Sequence, residues 1–233
     1  MKKLSLMALL CLTLVSTSSA SAKNLDFYGD LSAEWWQWIF DPASGNPQLA
    51  TGAVDCGINQ RGSIWFLAAG NTGTGAMIER SCTVPAGKAL FFPALNAIWT
   101  NSPGENATVA QKRQLLDQFI SDLHPGFVVD LGLPGVRACG VYVKIDGQTA
   151  TYFHPVVRTQ SPAFRVEGGS NPFGLPTGFV DPEAVSDGFW TLLPSLSPGQ
   201  HTLEFGGAYC LFDSTEIHPV FGGVDVVYHL NVQ

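Results

Sequence analysis

Charged residues are the scarcest chemical class in this sequence. Lysine, arginine, aspartate and glutamate make up 13% of the 233 residues, and the acidic residues outnumber the basic ones by 19 to 12. A formal net charge of −7 is opposite to the basic surface that nucleic acids and anionic membranes attract. We therefore expect no nucleic-acid partner.

The common catalytic and cofactor motifs are also missing. The sequence contains no G-x-S-x-G nucleophile elbow, no H-E-x-x-H zinc motif and no C-x-x-C pair. The glycine-rich segment 70–75 lacks the lysine and the following helix of a phosphate-binding loop. We expect no cofactor, and enzyme activity stays an open question without an identified catalytic residue.

Long apolar runs are absent except at the start of the chain. Lys2 and Lys3 precede the apolar residues 4–15, and Ala20-Ser21-Ala22 follows as a small-x-small cleavage pattern. This order is typical of a secretory signal peptide. The apolar run is about a dozen residues long, whereas a membrane span needs roughly 20. We predict that residues 1–22 are removed and that residues 23–233 form a single exported domain, periplasmic or extracellular, without a membrane span.

The cysteines fit an exported protein. Four of the five lie outside the predicted signal peptide, namely Cys56, Cys82, Cys139 and Cys210. An even number of cysteines in an exported chain favours disulfides, and four cysteines allow three pairings. We favour Cys56–Cys82 and Cys139–Cys210, because each pair would join neighbouring segments of the chain.

Glycine, proline and aromatic residues are abundant, and they favour a turn-rich β fold. The chain has 25 glycines and 15 prolines, and its aromatic content is 11%. Apolar residues alternate with other residues through segment 224–232, which is typical of a strand. Asp146-Gly147 lies between two β-like segments and predicts a tight hairpin turn. The pattern predicts a mainly β domain, a sandwich or jelly roll.

Two segments have helical rather than β periodicity. Leu31, Trp35 and Trp38 would share one face of a helix at about 31–40. Thr108 and Gln111 have the spacing of a capping box, which predicts a helix at about 109–123.

The tryptophans and a few polar residues are the candidates for a ligand site. Trp36 lies opposite the apolar face of the first helix, and Trp99 lies near Asn96 and a loop, so these two rings are the candidates for exposure, with Trp36 buried if the helix is covered on both sides. Asp187 is a polar residue in Ser186-Asp187-Gly188, where a turn is the simpler interpretation. Trp36, Asn96, Trp99 and Asp187 form the predicted ligand-binding set. The alternative is that all six tryptophans only pack the core.

No segment has the ligand spacing of a metal site. The nearest approach is Asp213, Glu216 and His218, of which the last two would share a face of an extended strand. We interpret these residues as solvated loop residues before Pro219, and we predict no metal site.

Three sequence blocks resemble an uncharacterised group of secreted bacterial proteins. The blocks are AEWWQW at 33–38, RSCTVPAGKALFFPALN at 80–96 and SDGFWTLLPSLSPGQHTLEFGG at 186–207. The resemblance spans most of residues 23–233 and implies export, but it brings no activity and no catalytic residue. LSPGQHTLEFGG is also similar to the penultimate-strand region of Ig-like extracellular domains.

The function that these observations favour is a secreted or periplasmic binding domain, with a carbohydrate or another cell-surface ligand as the first partner to test. The alternatives are an extracellular hydrolase that acts on polysaccharide, since paired carboxylates could come together in the fold, and a structural envelope protein.

Overall fold

The computed structural model describes residues 16–70, 77–120, 140–150, 156–168, 175–176, 178–212 and 217–233. The helices are α1 (Ser16–Phe40) and α2 (Val109–Ile120), and a short 3₁₀ turn covers Pro42–Ser44. The strands are β1 (Gly52–Ala53), β2 (Ile64–Phe66), β3 (Ile78–Val84), β4 (Ala89–Trp99), β5 (Gly140–Ile145), β6 (Gln148–Thr149), β7 (Val157–Gln160), β8 (Phe164–Glu167), β9 (Val180–Leu193), β10 (Gly199–Phe212) and β11 (Ile217–Val232).

The strands form two sheets that pack face to face. The larger sheet has the order β1-β3-β11-β10-β5-β6, and the smaller has the order β2-β4-β9-β7, with β8 paired to β9. The ring centroids of Phe92 on β4 and Phe205 on β10 lie 4.3 Å apart between the sheets. Both sheets are mixed, because β1, β3 and β11 pair in parallel, as do β2 and β4. The predicted β-sandwich with two helices is confirmed.

The alternating pattern of the last strand has the predicted structural consequence. Every second side chain of its final part is buried, namely Val224, Val226, Tyr228, Leu230 and Val232. Since successive side chains of a strand point to opposite faces, this set lines the core side of β11. The strand is central in its sheet, between β3 and β10.

The Asp146-Gly147 hairpin is also confirmed. The turn joins β5 to β6, and its two residues have φ values of 51° and 77°. A type I′ turn needs positive φ at both central residues, which aspartate-glycine tolerates. Asp146 also accepts from the backbone N–H of Thr202 at 2.8 Å, and its other carboxylate oxygen lies 2.8 Å from His201 Nδ1. The turn is thus attached to β10.

The ion pair at this turn makes stability depend on pH. The hydrogen bond with Asp146 raises the pKa of His201 above 6.5, against a smaller effect of burial. The hydrogen bond from the Thr202 N–H has the largest effect on Asp146, and the bond with His201 has the second largest. Together they lower the pKa of Asp146 below 3.8. The contribution of His201 to the stability of the protein is fully present below pH 6.5 and is lost as the pH rises through the folded pKa of His201. The aspartate contribution is present above pH 3.8 and is lost as the pH falls through the folded pKa of Asp146.

We therefore expect His201→Gln to destabilise the protein more at pH 5 than at pH 8. The effect at pH 5 should be below about 1 kcal/mol, because the pair lies at the surface. Urea unfolding of both proteins at the two pH values measures the difference. An equal loss at pH 5 and pH 8 would show that the charge on His201 does not stabilise the turn.

The first helix begins earlier than the sequence pattern indicates. It extends at least from Ser16, rather than from about residue 31, to Phe40. Its buried stripe starts at Tyr28, one turn before Leu31, and continues through Trp35 and Ile39. The spacing of these residues is helical, but Asp26, Asp30 and Gly29 interrupt the pattern and conceal it in the sequence. For the second helix, residues 121–123 of the predicted range lie outside the described residues.

Helix α1 covers the face of the smaller sheet that points away from the larger one. The Trp35 ring meets the Trp190 ring of β9 edge-on, with centroids 5.5 Å apart. Trp190 in turn stacks on Phe91 of β4 at 5.2 Å and an interplanar angle of 5°. Trp35 Nε1 donates to the backbone oxygen of Leu67 at 2.9 Å, which satisfies the buried indole.

The predicted Cys56–Cys82 disulfide is confirmed, and it attaches the loop after β1 to β3. Cys139 lies outside the described residues, and the structure gives no side-chain information for Cys210, so their pairing stays a prediction. In the described ranges no helix combines the length and the apolar character that crossing a membrane requires.

Candidate functional site

A polar groove lies where α2 runs alongside β7 and β9. We define it by its lining residues, which are Arg113, Gln114 and Asp117 of α2, Arg158, Thr159 and Gln160 of β7, and Asp187 of β9. Its volume is about 520 Å³ and it is open to solvent. That volume falls within the range of small-molecule sites in proteins.

Local backbone geometry determines which side chains face this groove. Arg113 and Asp117 are four residues apart on α2 and so lie on one face of the helix. Arg158 and Gln160 are two residues apart on β7 and point to the same side of the sheet. Gln160 pairs with Asp187 in the register of β7 and β9, so their side chains share a face.

A capping box stabilises the first turn of α2, and two buried side chains pack the helix against the rest of the protein. The capping box forms as predicted, because Thr108 N–H donates to Gln111 Oε1 at 2.8 Å and Gln111 N–H donates to Thr108 Oγ1 at 3.3 Å. Farther along, Leu116 and Ile120 are buried. The helix therefore presents Arg113 and Asp117 to the groove from a stable backbone.

A buried ion pair also anchors the helix. Lys112 Nζ donates to Asp181 Oδ2 on β9 at 2.7 Å and to the backbone oxygen of Glu183 at 2.8 Å. Their side chains are 0% and 2% exposed. Burial raises the pKa of Asp181, but bonds from Lys112 and from the backbone N–H groups of Asn101 and Glu183 outweigh it and lower the pKa below its usual value.

Arg158 joins two carboxylates at the centre of the groove. Its Nη2 donates to Asp117 Oδ1 at 2.8 Å and to Asp187 Oδ2 at 3.0 Å, and its Nε donates to Asp187 Oδ1 at 3.3 Å. Asp187 is only 1% exposed, whereas Asp117 is 64% exposed. Burial lowers the pKa of Arg158, but the two carboxylates raise it more, so the guanidinium stays charged.

Gln160 connects this cluster to Arg113. Its Nε2 donates to Asp187 Oδ2 and to the backbone oxygen of Arg113, both at 3.0 Å. Arg113 Nη1 donates to Gln160 Oε1 at 3.1 Å, and its Nη2 donates to the backbone oxygen of Ser161 at 2.7 Å. The groove thus presents donors and acceptors that are already oriented by one another.

No protein-family model matches this chain, and neither a curated protein nor a solved structure shows significant similarity to it.

Asp187 is the one predicted ligand residue that lines the polar groove. The sequence interpretation as a turn residue is wrong, because Asp187 lies within β9 and its carboxylate is paired with Arg158. The next residue explains how β9 approaches β4 so closely. A Cβ on Gly188 would lie 2.6 Å from Asn96 Cβ and 2.7 Å from the backbone oxygen of Leu95, so glycine is required there.

Trp36 is buried, so it is not the exposed ring for which it was a candidate. It is 2% exposed and stacks on Phe40, with centroids 5.8 Å apart, while its ring meets Trp35 edge-on. Trp36 escapes solvent although it lies opposite the main apolar stripe, because α1 is covered on more than one side. Trp36 therefore offers no ring face for a ligand to stack on.

Asn96 and Trp99 are half-buried on β4, outside the groove lining. Trp99 pairs with Val185 and so shares a sheet face with Asp187, whereas Asn96 pairs with Gly188 and lies on the other face. Asn96 Nδ2 and Trp99 Nε1 are buried without a hydrogen-bond partner among the described residues.

The described part of the chain contains no group of three or more His, Cys, Asp or Glu side chains arranged for a metal ion. Asp213 and Glu216 lie outside the described residues, and only the backbone of His218, on β11, is described. Their role as ligands was not expected and stays untested.

Sequence reasoning missed Arg113, Asp117, Arg158 and Gln160. On each of their segments, a charged or amide side chain is normally interpreted as a solvent-exposed residue without a specific role. Only the low charged content of 13% is a hint, since it makes the presence of four charged side chains in one groove, the three charged ones of this set and Asp187, unusual. Their convergence depends on how α2 packs across β9.

Proposed function

We propose that this protein is an exported binding domain and that its polar groove takes a carbohydrate. The observation that carries the proposal is the Asp117–Arg158–Asp187 cluster, in which one guanidinium lies between two carboxylates. Rigid planar donors and acceptors of this kind match hydroxyl groups, which donate and accept at once.

Charge balance favours a neutral ligand. Arg113 and Arg158 offset Asp117 and Asp187, so the four side chains carry no net charge together. A neutral polyol would exchange bonds with this cluster without leaving a buried charge unpaired. A strongly anionic or cationic ligand would disturb the balance.

The groove has room for one or two sugar rings, at about 520 Å³. Binding to the described lining would rest on hydrogen bonds, because none of its residues is aromatic. Such binding is weaker than binding with aromatic stacking, and we expect dissociation constants in the micromolar to millimolar range. The predicted signal peptide supports a ligand encountered outside the cytoplasm.

Asp117→Ala should weaken glycan binding at least about tenfold without unfolding the protein, because its carboxylate is 64% exposed and faces the groove. The experiment screens residues 23–233 against an array of soluble oligosaccharides and then titrates the positive ones by calorimetry. Asp30→Ala is the matched control, since Asp30 is an exposed helical aspartate of α1 outside the groove.

Arg158→Lys should weaken glycan binding similarly, because an ammonium cannot hold both carboxylates as the guanidinium fork does.

Other outcomes would decide against the proposal. Absence of binding to every oligosaccharide, or equal affinity of wild type and Asp117→Ala, would refute it.

Release of shorter products from an oligosaccharide would favour the polysaccharide hydrolase, whose two carboxylates would be Asp117 and Asp187. Both contact Arg158 Nη2, which puts their oxygens no more than about 6 Å apart, near the spacing of glycosidase carboxylates. Self-association of the purified domain without glycan binding would favour a structural envelope protein.

A further inference from the structure

A second cavity lies near β2, at the opposite edge of the smaller sheet from β7, between the loop that follows α1 and strands β2, β3 and β11. Its volume is about 280 Å³, and it is more enclosed than the polar groove. No residue that the structure describes lines both sites. The two can therefore be tested independently.

The walls of this cavity are mainly apolar. Trp38, Val54, Ile58 and Phe66 line it, and the rings of Trp38 and Phe66 lie 5.8 Å apart at an angle of 50°. Trp38 Nε1 donates to the backbone oxygen of Ile58 at 3.2 Å, which holds the ring in place. Cys56, which is bonded to Cys82 of β3, also lines the cavity, so one wall is covalently attached to the sheet.

The floor of the cavity carries a buried cation. Arg80 lies on β3 and is 1% exposed. Its Nε donates to the backbone oxygen of Ala50 at 2.7 Å, and its Nη2 donates to those of Pro47 and Gln48, both at 3.2 Å. These bonds tie the loop before β1 to the centre of the sheet.

The other guanidinium nitrogen of Arg80 faces neutral oxygens as well. Nη1 donates to the backbone oxygens of Ala68 and Ala69, both at 2.7 Å, and to the Tyr228 hydroxyl at 3.0 Å. The guanidinium carbon also lies 5.3 Å from the centre of the Tyr228 ring. Among the described residues no carboxylate forms an ion pair with Arg80, so six neutral acceptors surround a full positive charge.

A buried charge without a counterion is unusual, because removal of an ion from water costs several kcal/mol that an opposite charge normally offsets. Its neutral acceptors satisfy the N–H groups but leave the net charge. Asp55 also lines the cavity, but it is exposed and accepts from the Gly57 N–H at 2.8 Å, and it forms no ion pair with Arg80. A ligand carboxylate would be attracted to Arg80 in surroundings of low dielectric constant. It would compete with the neutral oxygens for the N–H groups of Arg80, since charge-assisted hydrogen bonds are roughly twice as strong as neutral ones.

We propose that this cavity binds a small organic acid with an apolar body. Its carboxylate lies toward Arg80, and its apolar part lies against the rings of Trp38 and Phe66. An enclosed apolar cavity with a few convergent polar groups is the usual form of a small-molecule site. The volume limits the ligand to about the size of a substituted benzene ring.

Benzoate and benzyl alcohol are the probes, because they share a ring and differ in charge at neutral pH. Calorimetric titration of the purified protein should give binding of benzoate that is at least about tenfold tighter than that of benzyl alcohol. Ala53→Trp should abolish benzoate binding, since Ala53 lines the cavity but is solvent-exposed and its replacement leaves the core intact.

The matched control is Ala86→Trp, at an exposed turn residue after β3 that does not line the cavity. It should bind benzoate like the wild type. Equal affinity for the two probes would overturn the assignment of an acid, and no benzoate binding, or binding that survives Ala53→Trp, would overturn the site. Asp117→Ala should leave benzoate binding unchanged, which separates this site from the polar groove.

Discussion

Lys112→Met is expected to lower the free energy of unfolding by about 3–5 kcal/mol. The substitution leaves the Asp181 carboxylate, 2% exposed, without the ammonium that now lies 2.7 Å away. Removal of one partner of a buried ion pair is costly, because the other keeps its desolvation penalty and loses its attraction. Urea unfolding followed by tryptophan fluorescence measures the change. Lys112 belongs to α2, so the same substitution should also weaken the support of the polar groove.

Lys144→Met is the control for a general effect of a lost lysine. Lys144 pairs with Glu204 at 3.8 Å, and the lysine side chain is 40% exposed, so we expect a change below about 1 kcal/mol. The double variant Lys112→Met/Asp181→Leu should regain part of the loss, because it removes both buried charges. A Lys112→Met protein as stable as the wild type would show that the pair does not anchor α2.

Acidification should reduce the difference in the free energy of unfolding between the wild type and Lys112→Met. The pKa of Asp181 lies below 3.8 in the folded protein, because its hydrogen bonds outweigh the effect of burial. The stabilising contribution is present above the unfolded pKa and is lost as the pH falls through the folded pKa. Once Asp181 is protonated, Lys112 no longer neutralises a charge. A constant difference down to strongly acidic pH would mean that packing of the Lys112 side chain, not its charge, is what stabilises the protein.

Replacement of both Cys56 and Cys82 by serine is expected to lower the free energy of unfolding by about 3.5 kcal/mol. The bond joins residues separated by 26 positions and so limits the conformations of the unfolded chain. Loss of that restriction favours unfolding even when the folded contacts are unchanged. Denaturant unfolding of the double variant under oxidising conditions measures the effect.

The disulfide prediction has a neighbouring control. Ser81→Ala changes an exposed residue next to Cys82 and should alter stability by no more than about 0.5 kcal/mol. Since Cys56 lines the Arg80 cavity, the double serine variant should also bind benzoate more weakly than the wild type. An unchanged unfolding midpoint would mean that the loop around Cys56 is already held by its other contacts.

The elements that were predicted correctly depend on local patterns. Alternation over 224–232 was enough to place a strand with one buried face, and Asp146-Gly147 was enough for a hairpin. Boundaries were predicted less well. Helix α1 covers Ser16–Phe40 rather than about 31–40, because Asp26, Gly29 and Asp30 interrupt the apolar pattern of its earlier part.

The ligand site shows the limit of such reasoning. Asp187 was selected from sequence for its polar character, yet its position within a strand and its burial were not anticipated. Trp36 is a candidate for exposure from the sequence, because it lies opposite the apolar face of its helix. In the structure Trp36 packs against Phe40 and Trp35 at the same time, and the helical pattern alone does not show what covers that side.

The sequence by itself predicted the strand at 224–232, the Asp146-Gly147 turn, the two helices and the Cys56–Cys82 disulfide, because those features follow from residues close together along the chain or from a simple pairing of cysteines. Which side chains come together at the two candidate sites depends on the tertiary structure alone. Arg158 meets carboxylates 41 and 29 positions away, and Arg80 meets Tyr228 at a separation of 148. Contacts at such separations depend on how the sheets and α2 pack, and packing is a property of the whole folded chain rather than of any segment.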